Sequence, residues 1–364
     1  MKELINIIAD PLYSFSIVSI LFFAMLYFVD IVATMKFFWI TTGSILVIFI
    51  WACFDPNFWA IITWPDNIPI SILLSLVFWT TWYSLYKGVR NDKRIAKGLP
   101  PLEGTPENRE KVWAWPNLVY TELFTIILGT VFLVAWSILF KAPLEEPANP
   151  TWAPNPAKAP WYFLGLQEML VYFDPWLAGV LFPGLIVVGL IAIPFLDTNP
   201  KGNGYYTFYE RRFAIGAFLY GWLVLWIFLI IIGTFLRGPN WSFYGPFEYW
   251  DTHKVVAANN INVSEIFWVK FLGVRLPKNL IIREFLGITI VLSYLLGGGY
   301  FLTQGIKGFG GWLGKRYRNA LGMPRYYLLL MLILFIAALP AKMYLRWLLN
   351  LKYIVFLPEL ELNI

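Results

Sequence analysis

Apolar residues run through this chain in long blocks separated by short polar loops, rather than in the alternating or one-sided patterns of water-soluble elements. A helix that crosses a bilayer needs about 20 mostly apolar residues. Eight segments meet that requirement: 12–35, 37–53, 67–87, 116–140, 174–196, 212–236, 280–303 and 325–349. The second is short, and the fifth is punctuated by prolines. The pattern predicts an all-α integral membrane protein with about eight transmembrane helices. A shorter stretch, SEIFWVKFLG (264–273), has the amphipathic character of a helix lying along an interface. No long internal repeat is evident, and a transporter reading finds neither repeats nor clustered intramembrane charge to support it.

Composition agrees with a lipid medium. Apolar residues make up 59% of the 364, charged residues only 14%, and mean hydropathy is +0.63. A soluble domain usually carries about 25% charged residues. Trp (19), Tyr (20) and Phe (31) are abundant, as aromatic belts at two interfaces require. The net charge of +6 does not point to nucleic acid, because the basic residues gather in particular loops. These are Arg90, Lys93, Arg94, Lys97, Arg109 and Lys111; Lys201, Arg211 and Arg212; and Lys307, Lys315, Arg316, Arg318 and Arg325. With eight spans all three loops fall on one side, which the charge bias makes cytoplasmic. Connectors 54–66, 141–173 and 237–279 then face outside, as do both termini. The opening MKELINIIADPLYSF lacks the basic start and cleavage site of a signal peptide, so the first run is expected to stay. The domain reading is a three-helix membrane unit (1–87), a cytoplasmic linker (88–115), a central domain (116–237), an outer-face segment (238–279), and a two-helix extension with tail (280–364).

From Trp115 onward the order of features becomes specific. WPNLVYTELFTIILGT opens a helix, LEEPANP follows it, and APWYFLGLQEML comes next. LAGVLFPGLIVVGLIAIPFLDTNP then spans back, and YERRFAIGAF starts the next helix from a basic edge. This order resembles the C-terminal part of cytochrome b, especially subunit IV of the plastoquinol-oxidising complex, over Trp115–Arg237. The three helices 116–140, 174–196 and 212–236 would be that family's three-helix core, with extra helices at both ends. The last two helices resemble C-terminal extensions of bacterial split cytochrome b proteins.

The resemblance implies a membrane subunit of a bacterial cytochrome bc-type complex in the plasma membrane. Its substrate would be a quinone, menaquinone or ubiquinone, at a site shared with a partner. Haems b would sit on a histidine-bearing cytochrome b N-terminal subunit, and the electron acceptor on an iron–sulfur protein or a multihaem cytochrome c. The chain's single histidine, His253, cannot supply a bis-histidine haem, and its single cysteine, Cys53, has no CxxCH setting. No metal site is expected on this chain.

In the resembling family a Pro-Glu-Trp-Tyr motif lines the quinol pocket. Here Ala159, Pro160, Trp161 and Tyr162 stand in its place, so the glutamate position is Pro160, which cannot accept a proton. Quinol oxidation releases protons and needs an acceptor near the ring hydroxyl. The nearest replacement is Glu168, seven residues from Trp161 and on nearly the same helical face, with Gln167 or Tyr162 orienting the quinol. The bland reading pairs Glu168 with Lys158 or a partner subunit and gives Gln167 a backbone hydrogen bond. If the motif is degenerate, the chain is a structural membrane anchor of a redox complex.

Other polar residues divide similarly. Glu122, with Arg211 or Arg212, would feed an inner-side quinone or proton path, or else be an interfacial carboxylate paired with a basic residue. Asp30 with Lys36 reads as a snorkelling pair, and Lys342 with Arg346 as snorkelling or partner-docking cations. Gly297–Gly299 reads as close helix packing.

Overall fold

A computed structural model describes residues 1–108, 111–140, 147–151, 153–201, 204–256, 259–306, 308–360 and 362–364. Arg109, Lys307 and the LEE of LEEPANP lie outside the described residues. The main helices are α1 (Lys2–Ile8), α2 (Pro11–Tyr27), α3 (Met35–Ala52), α4 (Asn67–Ala96) and α5 (Ala114–Leu139). Beyond these lie α6 (Trp161–Met169), α7 (Leu177–Leu196), α8 (Tyr209–Leu236), α9 (Leu280–Thr303) and α10 (Met323–Leu349). Among the described residues seven helices are long and apolar enough to cross a membrane, and α1 with α2, bent by 78°, makes an eighth if that pair is one span. The chain is an all-α integral membrane protein.

Where helices end has local causes. The run 12–35 is broken after Tyr27, and Thr34 then caps α3, its Oγ1 accepting the Phe37 N–H at 3.2 Å. Helix α4 continues to Ala96, well past the apolar run, because Lys93 and Arg94 in its last turn complement the negative end of the helix dipole. In α7, Pro183 has no N–H to give the carbonyl one turn back. The chain answers with a wider π turn over Leu177–Leu181. The interface stretch is helical as anticipated, Val263–Glu265 running into a π turn at Ile266–Phe271.

The chain divides into two compact units: Met1–Ala24, Asn155–Pro200 and Phe213–Ile364 form the first, and Met25–Pro154 with Lys201–Arg212 the second. In the first unit Phe15 is buried against the rings of Phe228, Tyr344 and Trp347 at 5.3–5.7 Å. Helices α9 and α10 approach through glycines. A Cβ at Gly298 would stand 3.1 Å from Leu334, and one at Gly299 3.5 Å from Leu330. The tail folds back as a short antiparallel hairpin, Phe356–Leu357 with Leu362–Asn363. It is tied down where Glu284 accepts the Phe356 N–H (3.0 Å) and Arg283 forks onto Glu359 (3.0 Å to each oxygen). Lys342 does not snorkel: it is buried, donating to the Lys352 carbonyl at 2.6 Å beneath the tail. Arg346, half-buried, reaches towards the end of its own helix and donates to the Asn350 carbonyl at 3.1 Å.

In the second unit the Trp82 indole donates to the Val32 carbonyl (3.0 Å) beside Phe38. Asn91, fully buried, donates to Glu103 (2.6 Å) and the Tyr206 carbonyl (2.8 Å) and accepts from Leu102 N–H (2.9 Å). Asp30 pairs with Lys93 (3.5 Å) and accepts the Tyr209 hydroxyl (2.6 Å), not Lys36. Helix α5 buries none of its residues.

Candidate functional site: the α6 edge and the end of α8

Helix α6 starts at Pro160, whose extended backbone (ψ 149°) ends the preceding proline-rich stretch. One face of α6, made of Leu164, Gly165, Glu168 and Met169, is buried. It packs on the last turns of α8, and two glycines allow the close approach. A Cβ on Gly165 would stand 3.3 Å from the Ile230 side chain, and one on Gly233 3.2 Å from the Leu164 carbonyl. Such small-residue contacts let helix backbones come together where lipid offers no hydrophobic drive.

Glu168 has no accessible surface, and a buried carboxylate must be paired. Its partner is Arg237, the residue that follows α8. Arg237 Nε donates to Glu168 Oε2 at 2.9 Å and Nη2 to Oε1 at 2.7 Å, while the Tyr172 hydroxyl donates to Oε1 at 3.2 Å. The third guanidinium nitrogen, Nη1, donates to the Trp241 carbonyl at 3.0 Å. Burial alone would lower the Arg237 pKa, but the carboxylate of Glu168 outweighs it and holds the guanidinium above its ordinary value. Burial and then the same carboxylate push the Tyr172 phenol well up. Lys158, one of the two partners that the structural reading offered Glu168, is engaged elsewhere. A guanidinium fork matches both carboxylate oxygens, which an ammonium cannot do.

Lys158 instead donates to the Thr234 carbonyl at 2.7 Å, capping the negative end of α8, and lies 4.9 Å from the Trp250 ring. Burial pushes its ammonium down to about 8. Gln167 clips the same loop: its Nε2 donates to the Ala157 carbonyl and its Oε1 accepts the Ala159 N–H, both at 2.8 Å. Asn155 and Asn240 form a second clip, Asn155 Nδ2 donating to Asn240 Oδ1 at 2.9 Å and Asn240 N–H to Asn155 Oδ1 at 2.6 Å.

The first turn of α6 is open. Pro160, Trp161, Tyr162 and Phe163 are exposed, the three aromatics at 40%, 50% and 51%, although all are large apolar groups. Trp161 lies on the same helical stripe as Glu168 but about 10 Å away along the axis, at 1.5 Å per residue. The structure thus brings Pro160, Trp161 and Tyr162 together on an exposed edge. It sets Gln167 and Glu168 behind that edge, each bonded within the chain. Glu122 is exposed in α5, and Arg211 and Arg212 stand at the start of α8. His253 is exposed in a turn, its backbone N–H donating to Asp251 Oδ1 at 2.9 Å. A lone exposed imidazole does not fit a bis-histidine haem. Among the described residues no three His, Cys, Asp or Glu side chains gather as a metal site.

Arg237, Tyr172 and Trp250 carry this site without having been singled out by the sequence. The signal was available: a carboxylate in an apolar segment demands a cation, and Arg237 is the charged residue that ends α8.

The architecture defines a multi-pass all-α membrane protein in which a short helix is keyed onto the end of a spanning helix by a buried ion pair. Residues 147–247, covering α6, α7 and α8, match the family described as cytochrome b (C-terminal)/b6/petD. The match begins after α5, leaving helix 116–140 outside it. No solved structure matches the chain.

Proposed function

We propose that the chain is a haem-free membrane subunit of a cytochrome bc-type respiratory complex, with α6 forming one wall of the outer-side quinol oxidation pocket. The family match supports the coarser part, a membrane subunit of such a complex. The observation that carries the finer part is the exposed Pro160–Trp161–Tyr162 edge inside the matched segment. A flat, lipophilic quinol ring is suited to an aromatic and proline wall, and the Tyr162 hydroxyl supplies a hydrogen bond. A pocket half open on this chain calls for a partner to close it: the histidine-bearing cytochrome b N-terminal subunit, carrying haems b. An iron–sulfur protein or multihaem cytochrome c at the outer face accepts the electron. The quinone is menaquinone or ubiquinone, the membrane is the bacterial plasma membrane, and both termini face outside.

Within this reading Glu168 acts first as a positioning residue. Its two oxygens are held by Arg237 and Tyr172, so the pair fixes the angle at which α6 presents the wall. To accept a quinol proton directly, Glu168 has to leave the guanidinium. Glu122, Arg211 and Arg212 are proposed for an inner-side quinone or proton path. One observation favours a second reading, a structural anchor with a degenerate quinone site: Pro160 stands where the resembling family has an acid, and the nearest carboxylate is committed to Arg237.

Trp161→Ala in the native complex separates the two. Losing the contact of one large side chain buried by the bound quinol is worth about 1.5–3 kcal/mol, so the quinol KM rises by roughly 10- to 150-fold. Unchanged steady-state kinetics would refute the pocket wall and leave the anchor.

A further inference from the structure

Beyond the proposed quinol chemistry, the other end of α7 carries a different kind of site. Residues of α7 and α10 line an open apolar groove there of about 510 Å3, within the roughly 300–1,000 Å3 typical of ligand sites. Its walls are Val188, Ile191, Ala192 and Phe195 from α7 and Pro324 and Leu328 from α10. The single charged lining group is Arg325, exposed, in the first turn of α10. Val188 and Phe195 are seven residues apart, so the apolar part runs about 10 Å along the helix, a third of a hydrocarbon core about 30 Å thick. The charge therefore sits at one mouth, at the membrane boundary, and the grease extends inward from it.

The surroundings of that mouth are basic. The turn Gly314–Arg318 brings Lys315, Arg316 and Arg318, and its Tyr317 is buried in one cluster with Leu321, Tyr326 and Leu330, against which Leu196 of α7 packs. The turn is thereby fixed beside the ends of α7 and α10. Opposing these four cations is Asp197, just past α7, which accepts the Asn199 N–H at 3.0 Å.

We infer that the groove between α7 and α10 binds one anionic glycerophospholipid, its phosphate on Arg325 and the upper part of an acyl chain against Ile191, Ala192, Phe195 and Leu328. The charge pattern selects this occupant. A neutral quinone head would take a hydrogen bond from Arg325 but leave the charge of the basic turn unmatched, whereas a phosphate diester is complementary both to Arg325 and to that turn. Cations near a membrane surface attract anionic headgroups, and the apolar groove adds the chain contact that free phosphate lacks.

The test reconstitutes the full-length protein, in its complex, into nanodiscs of equal phosphatidylglycerol and phosphatidylcholine. Lipids that survive mild detergent extraction are then counted by native mass spectrometry. The wild type retains phosphatidylglycerol over phosphatidylcholine. Arg325→Ala lowers that preference by about fivefold, as loss of one basic contact implies, and Arg325→Lys restores most of it. Ala192→Phe, which fills the groove and leaves the charges in place, abolishes retention of the lipid. Equal retention of both lipids, an Arg325→Ala preference equal to wild type, or a quinone in place of the phospholipid would each overturn the assignment. So would millimolar inorganic phosphate displacing the lipid.

Discussion

Replacing Glu168 by Gln removes the negative half of an ion pair with no accessible surface on the carboxylate side. Arg237, its side chain 11% exposed, keeps its charge; of its two contacts at 2.9 and 2.7 Å, one can persist to the neutral amide oxygen while the other faces an NH2 donor. Stripping one partner from a buried pair costs about 3–5 kcal/mol, because the remaining charge is left uncompensated. The double variant Glu168→Gln/Arg237→Gln removes both charges and should recover much of that loss. The coupling between the two sites is then about 1.5–7 kcal/mol, the span measured for close charge pairs. Thermal unfolding of the purified complex gives the stability of the four members of the cycle, and quinol turnover measured alongside separates the roles. A positioning pair predicts that stability and turnover fall together in Glu168→Gln and recover together in the double variant. If Glu168→Gln leaves stability intact while turnover collapses, and the double variant stays inactive, the carboxylate is a proton acceptor and the positioning argument is wrong. If neither changes, the pair has been misjudged altogether.

Other outcomes follow from the same geometry. A Cβ at Gly287 would overlap the Ile354 carbonyl, so Gly287→Ala should lift the tail and expose residues 351–364 to a protease that spares the wild type. Lys158 is held at about 8 when folded and returns to the ordinary lysine value of about 10.4 when unfolded. Between those values the unfolded chain binds more protons, so this group's contribution to stability rises with pH. Lys158→Met should therefore stabilise most below pH 8 and progressively less towards pH 10.5, read as the difference in unfolding midpoint between variant and wild type. A constant difference across that range would contradict a buried ammonium.

The spans were legible because a bilayer imposes one simple demand, length of apolar chain, and each of the eight runs carries a helix. Their ends were less so. Apolarity stops near residue 87, but a good helix-forming sequence and its basic last turn carry α4 to Ala96. Likewise the start of α3 at Met35 is set by the Thr34 cap rather than by hydrophobicity. At the site, the short helix, the exposed Pro160–Tyr162 edge and the backbone bond of Gln167 all follow from local sequence. The partner of Glu168 did not, since Arg237 is 69 residues away and only the docking of α6 on α8, through Gly165 and Gly233, brings it near. Lys342 failed for the same reason: only the folded-back tail shows that a cation at a helix end is covered.

The central claim, a haem-free subunit whose quinol wall is completed by a haem-bearing partner, is tested most directly by purifying the native complex under mild conditions. Its subunits are identified by mass spectrometry and its reduced-minus-oxidised haem spectrum is recorded. The account predicts a histidine-bearing cytochrome b partner in stoichiometric amount and a haem b signal that disappears when that partner is removed. A native complex without any haem b subunit would contradict it.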